Sequence, residues 1–188
     1  MPYILHRRGA PPVICDQSMT GSLVYSNLTI RAAAASRLSP DAAARRLADL
    51  YFSDLPRLSW GLFRARTRCD GRGEHIALHL ALMPFLPFVL LGEPTTERTP
   101  SKTTVSYPIT GGVLTRPTPL GAFVFTAASA DDGDLTLSVC VDGYASLLAG
   151  DCRSLWRRTL YRATQWFVHR YLVTRFLRHA ARRLSISS

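Results

Sequence analysis

The chain has 188 residues, a length that suits one domain with a sizeable core. Its hydrophobic fraction of 47% excludes a disordered chain, and its net charge of +10 raises the question of a nucleic-acid or anionic-membrane partner. The basic residues are 22 arginines and one lysine, Lys102. Phosphate-binding surfaces usually use both arginine and lysine. The bias toward arginine therefore reflects codon composition as much as function, and we do not expect the chain to bind nucleic acid.

The four cysteines carry no metal-site signature. Cys15, Cys69, Cys140 and Cys152 form no CxxC pair and match no zinc spacing, so we expect reduced thiols, no metal and no cofactor. The linear motifs of hydrolases, zincins and nucleotide-binding loops do not occur either.

No segment of the sequence has the pattern of a signal peptide or a transmembrane helix. Residues 1–22 lack the uninterrupted apolar stretch of a signal peptide. The most apolar run, Ala81–Leu91, is short and is interrupted by Pro84 and Pro87, so it cannot span a bilayer as a helix. We expect a cytoplasmic protein without a transmembrane segment, whose contact with a membrane, if it makes one, is peripheral.

The first part of the chain predicts an irregular arm over residues 1–20 and a first strand over Leu23–Ala34, whose apolar residues alternate loosely. Ser39 as N-cap and Pro40 in the first turn then predict a helix that continues to Tyr51. Ser53 and Asp54 are placed to cap a second short helix, from Leu55 to Phe63.

The middle of the chain predicts a run of strands, because apolar residues recur at every second position between turn signals. These strands are Glu74–Met83, Phe88–Thr96, Thr103–Thr110, Gly121–Ala127 and Leu135–Val141.

The last part of the chain predicts a long amphipathic helix. Arg153–Leu184 contains neither Gly nor Pro, and Asp151 stands where an N-cap belongs, so the helix would be about 48 Å long. Its apolar positions recur with a period close to 3.6 residues, whereas arginines such as Arg157, Arg175 and Arg182 occupy the other face.

This element order predicts an α+β fold: a curved antiparallel β-sheet of about six strands gripping a long C-terminal α-helix, with two short helices after the first strand. An antiparallel sheet of this pattern buries one face, and helices are the elements left to cover it. A curved sheet around a helix leaves an apolar cleft in which ligands bind.

Over residues 21–184 the element order resembles the START-like, helix-grip superfamily, also called SRPBCC. The closing segment, with Leu160-Tyr161-Arg162, Val168-His169-Arg170 and Arg175-Phe176-Leu177-Arg178, is similar to the C-terminal helix of several bacterial members. The resemblance implies a helix-grip ligand-binding domain over residues 21–188 that holds apolar molecules between sheet and helix. Residues 1–20 are extra to it, and the family's functions range from cyclisation and hydrolysis to carriage, so the fold alone fixes no chemistry.

Three residues are candidates for catalytic acid/base or orienting groups. His169 falls on the apolar, sheet-facing side of the closing helix, where it is either a general acid/base or a core histidine. Tyr107 shares a strand face with Val105 and Ile109, so it either polarises a ligand or is a core tyrosine. Glu93 is either an inward carboxylate with a raised pKa or a solvated residue beyond a strand that Pro94 ends.

Residues on the inward faces of the closing helix and of the strands are the expected ligand contacts. They are Trp156, Leu160, Ala163, Trp166, Phe167, Val105, Ile109, Phe123, Phe125, Leu137 and Val139.

Three functions follow. The first is an enzyme like a polyketide cyclase of bacterial secondary metabolism, acting on an apolar molecule through His169, Tyr107 and Glu93. The second is a carrier or sensor of a lipid-like ligand without chemistry. The third is an interaction protein that docks its basic C-terminal helix on an acidic carrier protein, another acidic partner or a membrane surface.

Overall fold

The computed structural model describes residues 2–7, 10–20, 23–32, 38–70, 73–113, 115, 121–130, 133–145 and 167–186. Within these residues it contains two helices, α1 (Pro40–Leu58) and α2 (Phe167–Ile186). It also contains ten strands: β1 (Tyr3–Arg7), β2 (Ala10–Thr20), β3 (Leu23–Ala32), β4 (Phe63–Asp70), β5 (Gly73–Leu80), β6 (Met83–Leu91), β7 (Thr95–Arg98), β8 (Lys102–Gly111), β9 (Ala122–Ser129) and β10 (Leu135–Ala145).

The strands form one antiparallel sheet in the order β1-β2-β3-β10-β9-β8-β6-β5-β4, with β7 paired to β8. Both helices pack on one face, α1 over β8 and β9, and α2 over β2, β3 and β10. The expected α+β architecture, a sheet that grips a C-terminal helix, is confirmed. None of the described helices is both long enough and apolar enough to cross a bilayer.

The sheet is larger than the predicted six strands, and residues 1–20 are not an irregular arm. They supply β1 and β2, which extend the sheet beyond β3. β2 contains Pro11 and Pro12, but its described pairings with β1 and with β3 include neither proline. Prolines are tolerated where a strand has no ladder hydrogen bond to make.

The two short helices predicted after the first strand are a single helix. α1 begins as expected, with the Ser39 hydroxyl accepting a hydrogen bond from the Ala42 N–H and Pro40 in the first turn. The predicted second N-cap at Ser53 is wrong, because its hydroxyl donates to the Leu50 carbonyl within a continuing helix. The stretch from Leu58 to Phe63 leads into β4, a strand that the sequence reading missed.

The strand predictions differ mainly in their ends. Thr103–Thr110 and Leu135–Val141 are confirmed within β8 and β10, and Gly121–Ala127 is confirmed from Ala122 onward as β9. The predicted Phe88–Thr96 strand is divided, because β6 ends at Leu91 and β7 starts at Thr95. The closing helix is confirmed from Phe167 onward, and its predicted start near Asp151 lies outside the described residues.

An aromatic cluster joins both helices to the sheet. The Tyr51 ring of α1 lies with its centroid 5.2 Å from Phe123, 5.4 Å from Phe125 and 5.0 Å from Phe176. Phe125 and Phe176 are fully buried. Because aromatic side chains bury the largest areas, this cluster is the main packing contact that holds both helices against the sheet.

Phe125→Ala should lower the free energy of unfolding by about 3–5 kcal/mol, because it empties the centre of this cluster. Phe85→Ala is the matched control, since Phe85 is exposed and its loss should change stability by no more than about 0.5 kcal/mol. Urea unfolding monitored by circular dichroism measures both, and equal losses would contradict the assignment of the core.

Candidate functional site

A cross-strand row of buried side chains runs over the inner face of five strands. The pairings Gln17 to Ser26, Ser26 to Val141, Val141 to Phe123 and Phe123 to Tyr107 place these five residues side by side. All five are buried. The row therefore offers apolar surface at its centre and polar side chains at its two ends.

The adjacent row is apolar apart from a thiol. Its members, in the same strand order, are Cys15, Leu28, Val139, Phe125 and Val105. All are buried in the cluster that Tyr51 and Phe176 cover. Of these two rows, the row of Gln17 and Tyr107 is the more polar one.

His169 lies over this polar row, in the first turn of the described part of α2. Its ring centroid is 6.1 Å from that of Phe123, and the two rings are nearly perpendicular. This contact confirms that His169 faces the sheet. Its Nε2 is buried and, among the described residues, has no hydrogen-bond partner. Burial lowers the pKa of His169 to about 4, so the ring is neutral at pH 7.

A hydrogen-bonded network fills the β1–β3 end of the row. The Tyr3 hydroxyl donates to Gln17 Oε1 at 2.9 Å, and Gln17 Nε2 donates to Ser26 Oγ at 2.9 Å. The Cys15 thiol donates to the Tyr3 oxygen at 3.2 Å. The Arg170 guanidinium lies 4.9 Å from the centroid of the Tyr3 ring.

Tyr3 and Cys15 are both held in their neutral forms. Burial, followed by the contact with Cys15, raises the pKa of Tyr3 to about 12. Burial likewise raises the pKa of the Cys15 thiol. With neutral His169 above the same row, these side chains offer hydrogen-bonding groups without negative charge.

Tyr107 occupies the other end of the row, as expected from its strand parity. Its ring packs against Phe52 at 5.2 Å and Phe125 at 5.9 Å between centroids. The strand residues expected to contact ligand are all buried on the inner face; they are Val105, Ile109, Phe123, Phe125, Leu137 and Val139. Their placement is confirmed, and their contact with a ligand stays a prediction.

Glu93 does not join the site. It is exposed and lies between the end of β6 at Leu91 and the start of β7 at Thr95. The expectation of an inward carboxylate is wrong because the strand ends before Pro94, as the alternative interpretation held. His169 and Tyr107 remain on the inner face without it.

Several predicted contacts cannot be placed. Trp156, Leu160, Ala163 and Trp166 lie outside the described residues, as does the side chain of Phe167. The predicted contribution of this part of the closing helix to a ligand site stays a prediction.

The residues that sequence reasoning missed come from the N-terminal strands. Tyr3, Cys15, Gln17 and Ser26 form the polar network, but residues 1–20 were expected to be irregular. Val13, Cys15 and Gln17 do share one strand parity, which was the available signal. Cys15 and Gln17 are not aliphatic, so their alternation with the outward residues of β2 was not recognised as a buried strand face.

In the described part of the chain, no three His, Cys, Asp or Glu side chains lie close enough together to hold a metal ion. The described thiols of Cys15, Cys69 and Cys140 are free. The polar side chains of the row itself are the amide of Gln17 and the hydroxyls of Ser26 and Tyr107. The Cys15 thiol lies in the adjacent row, and the His169 imidazole contacts Phe123 from α2.

No protein-family model and no curated protein sequence matches the chain. Among solved structures it is similar to human STARD10, with a TM-score of 0.47 and 10% identity over 96% of this chain and 72% of that chain. It is also similar to the human StarD13 (DLC2) lipid transfer and protein localization domain, with a TM-score of 0.48 and 10% identity over 96% of this chain and 88% of that chain. A third similar structure is the protein Ms6760 from Mycobacterium smegmatis, with a TM-score of 0.43 and 12% identity over 86% of this chain and 93% of that chain. In this chain the described strands form one antiparallel sheet, and α2 packs on it against β2, β3 and β10.

The lowered pKa of His169 predicts a specific pH dependence of stability. In the unfolded chain the imidazole titrates near 6.5, whereas in the fold it titrates at about 4, so protons bind the unfolded state preferentially between these values. Above pH 6.5 the titration of His169 therefore does not lower the free energy of unfolding. As the pH falls to 4, proton binding to the unfolded chain lowers that free energy by about 3 kcal/mol.

His169→Gln isolates this effect, since glutamine does not titrate. Chemical unfolding at several pH values should show a steeper loss of stability toward acid in the original protein than in the variant. Parallel curves for the two proteins would show that His169 is solvated in the fold.

Proposed function

We propose that the protein binds a hydrophobic molecule that carries one hydrogen-bonding group, held between α2 and the inner face of the sheet. The observation that carries this proposal is His169 Nε2, which is buried without a partner among the described residues. Buried polar atoms in native proteins almost always have a partner. A polar atom of a bound ligand would supply it.

The surroundings of His169 favour an apolar ligand body. Phe123 and Val141 stand at the centre of the row beneath it, and Phe125 and Val139 follow in the next row. Ligand sites typically combine such apolar walls with a few fixed polar groups. Ser26 and Gln17 at one end, and Tyr107 at the other, are the polar groups nearest to this surface in the strand register.

Binding without chemistry is favoured over cyclase-like catalysis. A general base works best when its pKa lies near the working pH, and the His169 pKa of about 4 makes the ring a weak base at pH 7. Glu93, the second acid/base candidate, is exposed. His169 therefore suits a hydrogen-bonding anchor better than a proton acceptor, and a carrier or sensor better than a polyketide cyclase.

The direct test is to purify the protein without denaturation, extract it with organic solvent and analyse the extract by mass spectrometry. We expect an apolar compound with one hydrogen-bonding group at close to one molecule per chain. An extract without such a compound, together with no binding of long-chain fatty alcohols or acids in titrations, would contradict the proposal.

His169→Leu should weaken binding of the extracted compound about five- to tenfold, the usual effect of one lost hydrogen bond. Titration calorimetry measures the dissociation constant, and His6→Leu is the control, since His6 is an exposed histidine of β1. The control should bind the compound as tightly as the original protein. An unchanged dissociation constant in His169→Leu, with the fold intact, would remove His169 from the site.

A further inference from the structure

A basic groove of about 620 Å³ lies on the side of α2 that faces away from the core, between β1 and the C-terminal end of α1. The arginines that line it are Arg57, Arg170, Arg175, Arg178 and Arg182. Among the described lining residues Asp54 is the one carboxylate, and its Oδ2 lies 3.1 Å from Nε2 of His179. The groove is therefore strongly positive.

Two guanidinium groups of the groove, those of Arg175 and Arg178, are held by backbone carbonyls or an aromatic ring. Nη1 of Arg175 donates to the Leu58 carbonyl at 3.2 Å, and the guanidinium carbon is 5.1 Å from the centroid of the Trp60 ring. Nη2 of Arg178 donates to the Leu5 carbonyl at 2.8 Å. Such contacts orient a guanidinium without cancelling its charge.

Trp60 borders the groove in an unusual backbone conformation. It follows the C-cap of α1 with φ of +51°, a position at which glycine is common, and the Gly61 N–H closes the turn on the Pro56 carbonyl at 2.6 Å. A bulky residue with positive φ is strained, and such strain persists mostly at functional sites. The Trp60 side chain is nevertheless 74% exposed, stacked on Tyr171 with 5.4 Å between centroids.

The chain also exposes an apolar tip, formed by Leu82 in the turn between β5 and β6 and by Met83, Phe85 and Leu86 in the first part of β6. Leu82 and Phe85 are each 87% exposed. The Leu62 carbonyl, two residues after Trp60, accepts a hydrogen bond from the Ala81 N–H at 2.8 Å, which holds the start of the tip close to the chain that follows Trp60. Contiguous exposed apolar side chains of this kind mark interaction sites.

We infer that the basic groove, Trp60 and the apolar tip together form a docking surface for an anionic lipid bilayer. The layered chemistry of a membrane surface matches all three parts: apolar side chains enter the acyl boundary, tryptophan lies at headgroup level, and arginines contact lipid phosphates. An acidic protein would complement the arginines and leave the apolar tip in water. This inference does not depend on the proposed ligand site.

Sedimentation with lipid vesicles tests the inference. The protein should bind vesicles of equimolar phosphatidylcholine and phosphatidylserine and bind pure phosphatidylcholine vesicles far more weakly, and added salt should weaken the binding. Equal binding to both vesicles, or none to the anionic ones, would overturn it. Soluble inositol hexakisphosphate that bound as tightly as the anionic vesicles would also overturn it, since a free phosphate ligand would then suffice.

Paired variants separate the two parts of the surface. Arg57→Gln and Arg182→Gln should each weaken vesicle binding about fivefold, and Leu82→Ser with Phe85→Ser should weaken it about tenfold or more. The matched controls are Arg31→Gln, on β3, and Ile14→Ser, an exposed apolar residue of β2. Equal losses in the controls, or binding unchanged in the groove and tip variants, would refute the surface.

The fluorescence of Trp60 reports contact with vesicles in the unaltered protein, so it does not depend on the stability of the groove and tip variants. Tryptophan fluorescence should shift to shorter wavelength on addition of anionic vesicles, and this shift should be lost in Trp60→Phe. A vesicle-induced shift that persists in Trp60→Phe would exclude the groove edge from the contact. Self-association in solution that buries the tip and abolishes vesicle binding would assign the surface to a second copy of the chain instead.

Discussion

The cross-strand register of β2, β3, β10, β9 and β8 decides which side chains meet beneath α2. Side chains alternate between the two faces of a strand, so a shift of one residue in any pairing would turn a strand's inner residues outward. In the observed register Ser26 lies beside Val141, and Val141 beside Phe123. The aromatic cluster around Tyr51, the polar row and the contact of His169 with Phe123 all depend on that alignment.

The interior and the exterior of α2 carry opposite chemistry for the same physical reason. On the inner side burial disfavours charge, so His169 has a lowered pKa, whereas Tyr3 and Cys15 have raised ones. On the outer side solvent stabilises charge, and Arg182 of α2 is exposed there, as is Arg57 at the neighbouring end of α1. One helix thus separates a neutral hydrogen-bonding surface from a cationic one, which is suited to a protein that holds an apolar molecule and meets an anionic surface.

The elements with strong local signals were predictable from the sequence. Strict alternation in β8 from Thr103 to Ile109, and the Ser39 cap of α1, follow from rules that act over a few residues. The length of α1 was not predictable in this way, because the Ser53 hydroxyl had two possible partners and the packed helix decides between them. Strands β1 and β2 were missed because their inward residues include Cys15 and Gln17, whose burial depends on partners distant in sequence.

The candidate site was predictable only in part. The inward faces of His169 and Tyr107 followed from helical and strand periodicity, whereas the exposed position of Glu93 depended on where a strand ends. The apolar run Ala81–Leu91 shows the limit of composition as a guide. Val89 and Leu91 at its end are buried. Leu82 is exposed in the turn between β5 and β6, and Phe85 is exposed because the register between these strands leaves residues 84–86 outside the pairing.

In the proposed function, a bound apolar molecule completes the hydrogen bonding of His169. The most direct measurement compares the NMR signals of the His169 imidazole nitrogens in protein purified without denaturation and in the same protein stripped of apolar compounds on a hydrophobic resin. We expect stripping to shift the Nε2 signal and the eluted compounds, when added back, to restore it. An Nε2 signal that is identical in both states would contradict a ligand at this position.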